Sequence, residues 1–159
     1  LQADPIAARA IAMAAPLAVG TIRLDVPKLA ELKTRVKSPS YSIGNLLWTL
    51  VVKRVCSDDD CVYEDCWEHD MDLAVDIYCN EESANPHWSC DATVTFNLLA
   101  QKFGREIYSG TLVCTFNSTE YDNGFSPFME WDEVLEEERG FIRSSDGGVT
   151  IEAVVVVTK

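Results

Sequence analysis

Hydrophobic and polar residues alternate with a period of two along most of this chain, the spacing of strands that bury one face. In residues 20–26, Ile22, Leu24 and Val26 fall on one side and Thr21, Arg23 and Asp25 on the other. In residues 72–79, Leu73, Val75, Ile77 and Cys79 share a face, opposite Asp72, Ala74, Asp76 and Tyr78. Residues 88–99 place Cys90, Ala92, Val94, Phe96 and Leu98 together. Residues 46–55 are apolar and β-branched, which predicts a buried strand with Trp48 near its start. Residues 106–116 and 149–157 supply two more strands, 27–32 a short connector, and 131–135 a brief helical turn. Seven or eight short strands without a repeated strand–helix unit predict an all-β fold, an antiparallel β-sandwich.

Residues 121–131 depart from this regularity. An Asp122-Asn123-Gly124 turn signal runs into Phe125, Phe128 and Trp131, with Pro127 among them. Proline has no N–H to give to a ladder, so within a sheet it is confined to an edge strand or a bulge. An edge strand carries unpaired backbone groups that an extended peptide can complete. The segment therefore predicts a binding edge rather than a catalytic one.

The first residues read differently. The apolar run 10–20 is too short to span a bilayer, is interrupted by Pro16, and has only a faint signal-peptide look. It predicts an Ala-rich extension, residues 1–19, with Asp4 as N-cap, Pro5 at the first helical position and Pro16 at the end. The domain proper is expected at 20–159.

Composition narrows the function classes. The net charge of −13 argues against nucleic acid and against an anionic membrane as partners. It favours basic peptides, and it equally favours solubility. Cys79, Cys90 and Cys114 fall in or beside strand patterns, where a free thiol packs as a small hydrophobe, so reduced cysteines in an intracellular protein are expected. Cys56, Cys61 and Cys66 with His69 form the one metal-like series, but their spacing is wider than the usual zinc pairs. Asp58, Asp59 and Asp60 lack the glycine and distal glutamate of a calcium loop. No metal or cofactor is expected. The two histidines, His69 and His87, sit in polar connectors, and no phosphate loop occurs, so no catalytic residues are assigned.

Several local patterns, taken in order, resemble the MATH domain (meprin and TRAF homology). They are Ser38-Pro39-Ser40-Tyr41 before Gly44-Asn45-Leu46-Leu47-Trp48, then Trp88-Ser89-Cys90, then Asp122-x-Gly124-Phe125, and the strand at 149–157. The likeness covers about residues 20–158. Within it, residues 124–134 and Gly140-Phe141-Ile142 are most similar to the N-terminal substrate-binding domain of the herpesvirus-associated ubiquitin-specific proteases. The resemblance implies an eight-stranded sandwich that docks short linear peptide motifs of ubiquitin-pathway proteins along an edge strand. It implies a monomeric, non-catalytic domain of a nuclear and cytoplasmic deubiquitinase. The alternative is a substrate adaptor of the MATH-BTB ubiquitin-ligase type.

Carried over by residue, the resemblance makes Asp122 the groove aspartate that bonds a peptide serine. It makes Gly124, Phe125 and Ser126 the edge segment that pairs with the ligand, and places Arg54 near a peptide-contacting arginine. Asn123 stands where the family has a packing tryptophan, and Asp76 where an aromatic residue is expected. Aromatic anchors carry much of an interface's energy, so these two substitutions imply a more acidic, less apolar groove. Trp48, Trp88 and Phe125 also fit core positions, and Asp122 is also placed to cap the turn before Gly124.

Overall fold

The computed structural model describes residues 16–57 and 70–159. The helix expected around Asp4 and Pro5, and the loop carrying Cys61, Cys66 and His69, lie outside the described residues.

Strand β1 (Ala18–Val26) starts just ahead of the boundary expected at Gly20 and pairs along its length with β9 (Val149–Val157). β9 also pairs with β6 (Ser89–Leu98), and β6 with β7 (Tyr108–Asn117), giving a four-stranded sheet in the order β1-β9-β6-β7. The second sheet is built on β4 (Leu46–Cys56) and β5 (Met71–Cys79). It ends in β8 (Asp122–Glu130) on one side and in two three-residue strands, β2 (Arg35–Lys37) and β3 (Tyr41–Ile43), on the other. Every pairing is antiparallel. The expected eight-stranded sandwich is present, with one edge position broken in two.

That break has a local cause. β2 pairs with residues 51–53 of β4 and β3 with residues 46–48, and Pro39 falls between them without an N–H to continue the ladder. Ser38 bridges the gap. Its N–H donates to the Leu50 carbonyl at 2.8 Å, and its hydroxyl oxygen accepts from the Leu50 N–H at 2.9 Å.

The core lies between the sheets and follows the alternation. Ile22, Leu24 and Val26 from β1, Leu73, Val75, Ile77 and Cys79 from β5, and Cys90, Ala92, Val94, Phe96 and Leu98 from β6 are all buried. Trp48 is fully buried, stands edge-on to Phe116 at 5.2 Å, and donates its indole N–H to the Ile43 carbonyl at 3.0 Å. The short helix α1 (Trp131–Leu135) closes one end through Trp131 and Val134. No helix among the described residues is long and apolar enough to cross a membrane. Burial pushes the Cys79 and Cys90 thiols up, away from the thiolate form that reacts. Cys79, Cys90 and Cys114 are all free thiols.

Candidate peptide-binding edge

β8 is an edge strand, as Pro127 required. It pairs with β5 on one side, and no described strand covers the other. Val75 faces Phe125 and Leu73 faces Met129, so Ser126, Pro127 and Phe128 share the space opposite Ala74 as a bulge. Residues 122–125, ahead of the bulge, remain a regular strand. The Cys79 N–H donates to the Tyr121 carbonyl at 2.8 Å. Continuing that antiparallel alternation turns the N–H and C=O of Asp122 and Gly124 away from β5, toward the open edge.

Gly124 is required here by close approach. A Cβ at this position would lie 1.9 Å from the Val75 carbonyl oxygen and 2.7 Å from the Asp76 Cα. Any side chain would push β8 off β5. The Gly124 N–H is taken by the neighbouring Asn123 side chain, whose Oδ1 accepts it at 2.8 Å. The turn cap anticipated for Asp122 is thus made by Asn123, and the Asp122 side chain stays exposed. Phe125 turns inward and meets Phe96 edge-on at 5.9 Å, so its ring belongs largely to the core and its backbone to the edge.

Next to this edge, the outer face of the sheet holds a shallow hollow of about 260 Å³. Asp76, Asp122, Asn123, Gly124, Phe125 and Ser126 all border it. Arg54, the remaining expected contact, does not. It follows Trp48, Leu50 and Val52 on the inward phase of β4, donates through Nη1 to the Leu32 carbonyl at 3.3 Å, and lies over the Trp131 ring at 5.0 Å. Its neighbour Lys53 has the opposite phase and borders the hollow instead. Strand parity held that signal: an odd-numbered residue on β4 cannot share a face with Trp48.

Lys53 Nζ lies 3.2 Å from Asp76 Oδ2. Asp76 is only 7% exposed although it sits on the outer face, because β4 and β8 flank it. Burial first, and then a side-chain hydrogen bond and charge repulsion from Asp122, push its carboxyl up to about 6 against the opposing pull of Lys53. Asp72, on the same face, is also buried and accepts a hydrogen bond from the Ser57 hydroxyl at 2.8 Å. A larger hollow of about 520 Å³ lies farther along the face, between Ser40, Thr49 and Glu81, beside the broken edge. Lys37 and Glu81 pair across it at 3.7 Å. It adjoins no regular open strand, so it lacks the backbone pairing that β8 offers.

Comparison with known proteins agrees with this geometry. The family profile of the MATH domain matches residues 25–157. BTB and MATH domain-containing protein 38 of Caenorhabditis elegans is 32% identical over 142 residues, covering 88% of this chain and 33% of that protein. Ubiquitin carboxyl-terminal hydrolase 7 of Drosophila melanogaster is 26% identical over 137 residues, covering 86% of this chain and 11% of that protein. BTB and MATH domain-containing protein 36 of C. elegans is 26% identical over 118 residues, covering 74% of this chain and 29% of that protein. The chain therefore spans a third or less of the length of these relatives. With a sandwich of this topology and a profile match over most of its length, the chain belongs to the MATH domain family of protein-interaction domains.

Proposed function

We propose that this domain recruits partner proteins by binding a short extended peptide along β8, as an added strand. The observation that carries the reading is the regular, unpaired stretch 122–125, whose outward backbone groups border a hollow on the same sheet. Asp122 stands exposed at the start of that stretch, where its carboxylate can accept a hydrogen bond from a peptide serine. Gly124 offers the close backbone approach, and Asn123 must release the Gly124 N–H before a peptide carbonyl can take it. The MATH family is one of protein-interaction domains, so the domain's part is recognition, and any chemistry belongs elsewhere in the full-length protein.

Two parents fit the recognition role, and different observations favour each. The pattern of residues 124–134 favours a ubiquitin-specific protease, nuclear and cytoplasmic, whose substrates this domain would hold. The 32% identity to a BTB and MATH domain-containing protein favours an adaptor. The domain joined to this one in the full-length protein separates them. The recognition role itself is tested by titrating serine-containing extended peptides into labelled domain and following backbone amides by NMR. Shifts confined to β8 and β5, and weakened about tenfold or more by Asp122→Ala, are expected for a charge-assisted contact. Shifts elsewhere, or binding indifferent to that substitution, would refute the site.

A further inference from the structure

The groove's charge arrangement narrows the peptide it takes, an inference that rests on the peptide-binding reading above. Asp76 lies directly across from Gly124, which has no side chain to pair with its carboxylate. Asp122 from β8 stands close enough for its charge to repel that of Asp76, and Lys53 from β4 pairs with Asp76 at 3.2 Å. Among the described residues, no second cation is paired with Asp76. Tyr78 continues the face on β5, and Lys37 from β2 is held over the Tyr78 ring at 5.5 Å and beside Glu81. Two carboxylates thus face one ammonium, in a hollow that also lacks an aromatic residue at 123. A carboxylate withdrawn from water is costly unless it is paired, so this site gains most from a second cation.

We infer that the groove selects peptides carrying a lysine or arginine whose side chain crosses Gly124 and lies between Asp76 and Asp122. Gly124 lets β8 lie close against Asp76, and a guest cation entering from the hollow balances the charge that Lys53 alone leaves unmatched. The pH dependence has a definite sign. Asp76 titrates near 6 in the unbound domain, and a guest cation lowers that value. The cation's advantage is therefore full above pH 6 and is lost as pH falls below it.

The test uses an acetylated, amidated alanine host peptide with one serine and one lysine, the lysine stepped through each position, beside matched norleucine peptides. NMR titration at pH 7.5 should find one register in which lysine binds about tenfold tighter than norleucine, the scale of a close charge pair. Asp76→Asn, which keeps size and shape, should flatten that preference, and Asp122→Asn should weaken it independently. Lys53→Met should increase it, because Lys53 competes for the same carboxylate. At pH 5 the preference should shrink severalfold. Equal binding of lysine and norleucine in every register, or a preference that survives Asp76→Asn, overturns the inference while leaving β8 as a peptide edge. Amides of 122–126 that stay unshifted with every peptide overturn the recognition reading, and this inference with it.

Discussion

The two edges of the second sheet are both interrupted by proline, yet the chain treats them oppositely. At β2 and β3 the strands are three residues each, and Ser38 closes the gap at Pro39 with both its main chain and its hydroxyl. Ser40 adds a hydroxyl contact to Thr49 at 3.0 Å across the same gap. Short, internally satisfied edges are a common protection against unwanted pairing. At β8 the strand is nine residues, Pro127 sits in a bulge, and the stretch ahead of it keeps its outward groups in line. One edge is closed by its own chain and the other is held ready for a different one. A proline alone therefore does not say whether an edge is closed; the neighbouring side chains decide.

The contrast breaks most severely at Gly124. Gly124→Ala places a methyl against the Val75 carbonyl, and we expect a loss of about 2–4 kcal/mol with peptide binding abolished. Denaturant unfolding gives the first, and faster hydrogen exchange at Cys79, whose N–H bonds to Tyr121, should report the loosened strand. On the closed edge, Ser38→Ala leaves the buried Leu50 N–H without its acceptor and should cost about 1–2 kcal/mol. Peptide affinity at β8 should not change, and a parallel loss of affinity would show that the two edges are coupled.

A smaller effect of opposite sign is expected at Asp76. Its folded value, about 6, lies above the ordinary 3.8, so the folded state holds the proton more tightly than the unfolded chain. Ionisation thus erodes stability as pH rises from 3.8 through 6. Asp76→Asn should stabilise the domain by about 1 kcal/mol at pH 7.5, since water screens part of the penalty that remains after the pull of Lys53, and by almost nothing at pH 3.5. Melting curves at both pH values check this. The smallest change is Asn123→Ala, which frees the Gly124 N–H for a ligand and should tighten peptide binding by about 0.5 kcal/mol, measured by calorimetry.

Alternation made the inner faces of β1, β5 and β6 legible residue by residue, because burial on one face imposes a period of two. Pro127 likewise marked β8 as an edge, because a missing N–H has few places to go. Asp72 and Asp76 show where that logic stops. Their phase pointed outward, yet both are buried, Asp72 against the Ser57 hydroxyl and Asp76 against Lys53, and such neighbours are not visible in a local pattern. Arg54 is the clearest divergence. Similarity of position suggested a peptide contact, while its parity with Trp48 already placed it on the inward phase, where it packs on Trp131. Asn123 read as a missing anchor, and its hydrogen bond to Gly124 could not be anticipated without the backbone geometry that makes it.

That hydrogen bond also bears on how the protein behaves at high concentration. An outward N–H on a long edge strand can template pairing with another copy of the same strand, the first step toward edge-to-edge aggregates. The Asn123 amide occupies this donor intramolecularly, and a side chain that swings away for a ligand returns when the ligand leaves. A substitution at 123 that improves affinity should therefore also make the domain more prone to self-association, so gains in binding at this position trade against solubility.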